Sequence, residues 1–188
     1  MPTQLVELVD EDGVTIGTAE KMEVHLGDGQ LHRAFSVFLL DGNGRLLLQQ
    51  RAQGKYHSAG AWSNTCCGHP SPGESPHDAA LRRLYEELGI QPEALRATGT
   101  VCYHVVDPVS GLVEQEWNHL FVGLYDGVPD PAPAEVAGYR SVSLVELEEM
   151  LKREPFTPWF ASVFRAVEKS LPIGQAALEN PQPGSSES

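Results

Sequence analysis

Cysteine is scarce in this chain: three residues in 188, two of them adjacent (Cys66, Cys67). That number and spacing exclude a disulfide framework and fit a reducing cytoplasm. No apolar run approaches the roughly 20 residues that a membrane helix needs. The opening Met1-Pro2-Thr3-Gln4 lacks the basic, then apolar, layout of a signal peptide. Basic residues are also few, 13 against 26 acidic ones, for a net charge of −13. Nucleic acid and anionic membranes are therefore not expected as partners, because a polyanion would be repelled. An anionic small molecule remains compatible if the few cations converge on one cleft. No internal repeat is visible, and no obligate protein partner is evident.

What is present is ordinary globular composition, 41% hydrophobic and 21% charged, in a chain long enough for one domain with a real core. Residues 1–171 are expected to form that domain, and the polar, Pro- and Ser-rich 172–188 a disordered tail. Apolar runs at 34–40 and 45–51 are split by Asp41-Gly42-Asn43-Gly44, which predicts a hairpin. Residues 61–67 follow as a short strand. Ser75 as N-cap, Pro76 at N1, Asp78 at N3 and Gly89 as C′ stop bracket a helix whose stripe is Ala80, Leu84 and Leu88. A second hairpin joins 99–106 to 112–125. Ser143 with Glu146 makes a capping box for a helix ending near Arg153. Pro155 and Pro158 precede a last helix reaching about Lys169. The mixture predicts an α+β fold, layered as an α/β/α sandwich with a mixed sheet.

Three features carry chemistry. The first is the run from Gly68 through Glu74 and Arg82 to Arg83-Leu84-Tyr85-Glu86-Glu87-Leu88-Gly89-Ile90. Carboxylates gathered there suit Mg²⁺ and, through it, phosphate oxygens. The plainer reading is that Arg82–Glu86 and Arg83–Glu87 are i,i+4 surface pairs. The second is His25, His32 and His69 with Glu114 and Glu116. The two glutamates are two apart on a predicted strand, so they share a face with Leu112, Asn118 and Leu120. Two like charges there are costly without a cation, and mixed imidazole and carboxylate donors suit Mn²⁺, Fe²⁺ or Zn²⁺ better than Mg²⁺. Spacing alone does not bring these five together, and His57, His77, His104 and His119 stand unassigned. The third is Cys66-Cys67-Gly68-His69. A thiol there can serve as acid, base or nucleophile, or the pair can simply be small core residues.

The Gly68-to-Ile90 run resembles the Nudix box, with one departure: Nudix hydrolases carry Glu where this chain has Arg83. Over about residues 6–169 the chain resembles type I isopentenyl-diphosphate Δ-isomerases. The segments that carry the likeness are Leu31-His32-Arg33-Ala34-Phe35-Ser36, Gln50-Arg51-Ala52, Trp62-Ser63-Asn64-Thr65-Cys66-Cys67-Gly68-His69-Pro70, Asp107-Pro108 with Gly111, Glu114-Gln115-Glu116 and Phe156-Thr157-Pro158-Trp159. The resemblance implies a Nudix-like fold and conversion of isopentenyl to dimethylallyl diphosphate by a 1,3-allylic proton transfer. It implies Cys67 and Glu116 as the acid/base pair, with Tyr103 beside the carboxyl and Trp159 against a carbocation-like centre. It implies His25, His32, His69, Glu114 and Glu116 as ligands to Mn²⁺ (or Mg²⁺ or Zn²⁺). Glu87 becomes a ligand to Mg²⁺ arriving with the diphosphate. Lys21, Arg51 and Lys55 become diphosphate contacts, with Arg82 or Arg83 as helpers. Two departures stand out: the turn between Tyr103 and Glu114 is one residue longer than the common bacterial pattern, and Gly54-Lys55-Tyr56-His57-Ser58 replaces the usual basic, aromatic run. A Nudix hydrolase of nucleoside diphosphate derivatives and a non-catalytic metal-binding module are the rival readings.

Overall fold

A strand covered on both faces reads as an unbroken apolar run, and that run lies at the centre of the sheet. The computed structural model describes residues 4–172. Within them β3 (His32–Leu40) pairs in parallel with β8 (Val113–Leu124), from His32 opposite Glu116 to Leu40 opposite Leu124. On its other side it pairs antiparallel with the short β6 (Cys66–Gly68), Ser36 opposite Cys67. β7 (Leu95–Val106) forms the second predicted hairpin with β8, setting Tyr103 opposite Glu116. β1 (Leu5–Val9) and β2 (Thr15–Glu20) add a hairpin that meets β3 at Leu8 and His32, and α1 (Lys21–Val24) follows directly. β4 (Leu46–Arg51), β5 (Trp62–Ser63) and β9 (Val136–Val142) complete a nine-stranded mixed sheet.

The alternation of β3 divides the core. Phe35, Val37 and Leu39 pack with Ala80, Leu84 and Leu88 of α2 (Pro76–Leu88). Phe38 and Leu40 pack on the opposite face with Leu147 and Met150 of α3 (Leu144–Arg153) and Phe160 and Val163 of α4 (Phe160–Val167). The result is the α/β/α layering expected from the sequence. The α2 caps are as read: Ser75 Oγ accepts the Asp78 N–H at 3.1 Å, and Gly89 takes a left-handed φ of 64°. The α3 capping box is also present, and α4 continues into a 3₁₀ turn (Glu168–Ser170).

The first predicted hairpin needs correction. Its turn is there, but β3 and β4 pair only at Leu40 and Leu46. Thr65 wedges between them, its Oγ1 accepting the Leu39 N–H at 2.8 Å and donating to the Leu47 carbonyl at 2.6 Å. The predicted strand at 61–67 is consequently two fragments, β5 and β6, on different partners. Of the predicted tail, 173–188 lies outside the described residues. Among the described residues no helix is long and apolar enough to cross a membrane.

Candidate active site

Strand register assembles the site. His32 and Glu116 are neighbours across β3–β8, and Tyr103 is the neighbour of Glu116 across β7–β8. Successive strand side chains point to opposite faces, so the adjacent cysteines part company. Cys66 is fully buried in the α2-side core, whereas Cys67 packs on the α3–α4 side, beside Ser36 Oγ at 3.6 Å. The same alternation puts Glu114, Glu116 and Asn118 together, and His25 enters from the end of α1.

His25, His32, His69, Glu114 and Glu116 each offer a ligand atom, and all five atoms lie within 4.8 Å of one another; every one of these residues is buried. The ring nitrogens are oriented for ligation. His25 Nδ1 sits 2.5 Å from the Lys21 carbonyl and His32 Nδ1 2.7 Å from the Gln30 carbonyl. A carbonyl only accepts, so each Nδ1 carries the hydrogen and each neutral ring presents a lone pair at Nε2. His32 Nε2 is 3.1 Å from His69 Nε2, which is 3.1 Å from Glu116 Oε1. Glu114 Oε2 is 3.1 Å from His25 Nε2. Inward lone pairs and two carboxylates in so small a space fit a divalent cation of the imidazole-accepting kind.

Electrostatics agree. Burial lowers the pKa of His69 to about 3 and also lowers that of His32, holding both in the neutral form that ligates. Burial opposes protonation of His25 too, but Glu114 beside it outweighs that and raises it. A cation bound there would compete with protonation of that ring. Burial pushes Glu114 up, and His25 and His57 more than offset this and hold it low.

A cleft of about 140 Å³ opens over this cluster. Its walls include Cys67, His69, Glu114, Glu116 and Trp159 together with Lys21, Arg51, Lys55, Arg83 and Glu87. Four of the chain's 13 basic residues thus converge where an anion would need them. A larger, shallower groove of about 710 Å³ near Gln91 and Pro172 holds neither histidine nor cysteine.

Cys67 Sγ donates to Asn64 Oδ1 at 2.9 Å. Burial raises its pKa to about 11, against a hydrogen bond from Ser36 that pulls the other way. The Cys66 thiol is pushed well above its usual range by burial and then by Glu87. Tyr103 donates its hydroxyl proton to Glu116 Oε2 and accepts from Asn118 Nδ2 at 3.1 Å. Asn118 also donates to the same carboxylate oxygen at 2.9 Å. Two groups thereby fix that carboxyl's orientation. The Arg51 guanidinium lies 5.4 Å from the Trp159 ring centroid.

Not every expected residue converges. Arg82 is clamped by Glu74 through two 2.8 Å bonds, contacts Glu86, and does not line the cleft. The plain i,i+4 reading suits it. Arg83 makes its i,i+4 pair as well, to Glu87 at 2.5 Å, but also lines the cleft and reaches Glu135 at 3.1 Å. Glu87 shares the cleft without joining the five-residue cluster; Gln49 donates to it at 2.9 Å. Residues not anticipated include Glu135, which binds Lys55 at 2.6 Å, and Tyr56 and His57 in the cleft wall. Glu135 follows a Pro- and Ala-rich stretch with no periodicity to flag it, while Tyr56 and His57 stand out in the sequence as part of a departure from the family pattern, with His57 also an unassigned histidine.

Comparison with known proteins agrees with this architecture. Residues 30–167 match the family model described as NUDIX domain. An isopentenyl-diphosphate Delta-isomerase of Streptomyces coelicolor is 60% identical over 167 residues, 89% of this chain and 85% of that protein. One from Serratia proteamaculans is 46% identical over 164 residues, 86% of this chain and 90% of its own. Among solved structures, a Deinococcus radiodurans protein superposes with a TM-score of 0.72 at 18% identity, covering 86% of this chain and 98% of its own. A MutT protein of Methanosarcina mazei Go1 gives 0.60 at 21% identity, covering 74% of this chain and 94% of its own. At such identities these two likenesses concern the fold.

Proposed function

This chain belongs to the isopentenyl-diphosphate Delta-isomerases, built on a NUDIX domain, and from that premise we propose that Cys67 and Glu116 carry out its two proton transfers. The enzyme converts isopentenyl diphosphate to dimethylallyl diphosphate. A proton is added at the terminal alkene carbon, leaving a tertiary carbocation-like centre. A different proton then leaves the carbon next to the one bearing the diphosphate. The observation that carries the assignment is the sharing of one cleft by a protonated thiol and a carboxyl held by Tyr103 and Asn118, with a basic cluster in the same walls.

The remaining roles follow from chemistry. Lys21, Arg51, Lys55 and Arg83 hold the diphosphate by charge-assisted hydrogen bonds. Trp159 offers its negative ring face to the cationic centre, and the buried walls keep out water that would trap it. His25, His32, His69, Glu114 and Glu116 would hold Mn²⁺, with Mg²⁺ or Zn²⁺ compatible, and Glu87 would help hold Mg²⁺ entering with the substrate. A cation so held supplies positive charge that tunes the acidity of Glu116 and offsets that of the diphosphate. The ligand is a small allylic or homoallylic diphosphate. The charge of −13 opposes nucleic acid and membrane partners, and three free thiols suit a reducing cytoplasm.

Supplying isopentenyl diphosphate with Mg²⁺ and Mn²⁺ tests the reading. Double-bond movement without phosphate release supports it, and phosphate release with the double bond in place would favour a hydrolase instead.

One pH dependence follows. Burial, then the nearby cations of Lys55 and Arg83, lower Lys21 to about 8. A lowered lysine is fully charged below that pH and loses its charge as pH rises through it. The ratio kcat/KM, which reports the free enzyme, is expected to fall as pH rises through about 8. Lys21→Arg, charged throughout, is expected to remove that fall; an unchanged profile would show that Lys21 is not the titrating group.

A further inference from the structure

Within the loop that departs from the family pattern, His57 occupies a position no role above requires. It is 6% exposed, and its Nε2 lies 2.6 Å from Glu114 Oε1, the carboxylate oxygen turned away from His25. Its ring packs between Tyr56, at 4.2 Å between centroids, and Trp159, at 5.2 Å.

The loop around it is held under strain. Ser58 adopts a φ of 48°, a left-handed conformation that is unfavourable for a non-glycine residue and persists only where the surroundings dictate it. Asp107, itself buried, dictates it: its Oδ2 accepts both the Ser58 N–H at 2.8 Å and the Ser58 hydroxyl at 2.7 Å. On the other side Arg51 donates to the His57 carbonyl at 3.2 and 3.3 Å. The β7–β8 turn and the end of β4 therefore both grip the backbone that carries His57.

We propose that His57 is a positioning residue for Glu114, and that the Ser58–Asp107 clasp sets it in place. A carboxylate with one oxygen among the histidines and the other against an imidazole cannot rotate freely, so the five donors stay pre-arranged. Outer-shell partners of this kind orient metal ligands and strengthen binding. Because the same ring touches Trp159, His57 also ties the carboxylate cluster to the aromatic wall. The proposal rests on the metal-site reading above.

The test loads the full chain with Mn²⁺, adds a chelator stepwise, and follows released Mn²⁺ by electron paramagnetic resonance. His57→Phe keeps an aromatic ring against Tyr56 and Trp159 but removes both nitrogens. It is expected to lose Mn²⁺ about 10- to 100-fold more readily than the unaltered chain. His57→Gln, whose amide can reach the same oxygen, is expected to recover part of the loss. Ser58→Ala, which removes one strand of the clasp and spares the ring, is expected to shift retention the same way by less, and it decides the matter by the same criterion should His57→Phe not fold. Retention within about twofold of the unaltered chain would overturn the inference and leave the metal site standing. Failure of the unaltered chain to hold Mn²⁺ would overturn both.

Discussion

Cys67→Ala is expected to lower the isomerisation rate at least about a thousandfold, within the range that a positioned proton-transfer group contributes. Its melting temperature should stay close to that of the unaltered chain, because Cys67 is only partly buried and lies at the cleft rather than in the core. Mn²⁺ retention should also be unchanged, since the sulfur is not among the five ligand atoms. The neighbouring thiol is the control. Cys66→Ala removes an atom from the fully buried α2-side core, so its cost should be read in stability, with the rate little altered. Steady-state kinetics and thermal melts on the two variants decide this; a dead Cys66→Ala with an active Cys67→Ala would assign the wrong thiol.

Glu116→Gln should be equally inactive for a different reason, and more damaging. Its carboxylate is a candidate metal ligand and a proton-transfer group at once, and it accepts from both Tyr103 and Asn118. Glutamine retains one oxygen to accept those bonds but brings its amide toward His69 and loses the negative charge. The expected result is a rate lower by about a thousandfold or more, together with weaker Mn²⁺ retention and a smaller rise in melting temperature on adding Mn²⁺. The two variants thus separate roles that activity alone would merge: loss of rate with metal retention intact for Cys67, loss of both for Glu116. Full Mn²⁺ retention in Glu116→Gln would remove this residue from the ligand set.

What was legible in the sequence follows from how local each signal is. α2 was readable to its ends because Ser75, Pro76 and Gly89 act within one turn of the helix. The shared face of Glu114 and Glu116 was readable because strand alternation is a backbone property. β2 was not, since its residues are half-exposed or exposed along their whole length and leave no apolar stripe. α1, at four residues, is too short for any period. The β3–β4 pairing failed for a long-range reason: Thr65 arrives from elsewhere in the chain to take the bonds. The choice between two adjacent cysteines is likewise invisible to spacing. The resemblance supplied it, and the register of β6 against β3 gives it a physical basis. Nor does any local pattern bring residue 25 to residue 114. The family likeness grouped the five donors, and a parallel strand pair between residues 32 and 116 is what makes that grouping possible. His57 and Glu135 escaped because loop residues carry no periodicity.

The claim at the centre is that two different side chains handle two different protons. Isopentenyl diphosphate carrying deuterium on the carbon next to the diphosphate-bearing one, turned over in ordinary water and read by NMR, tests it most directly. Separate groups predict that the methyl formed from the terminal alkene carbon takes its new hydrogen from solvent, with none of the label. Deuterium appearing in that methyl would mean that one group carries the proton across, and would contradict the pairing of Cys67 with Glu116.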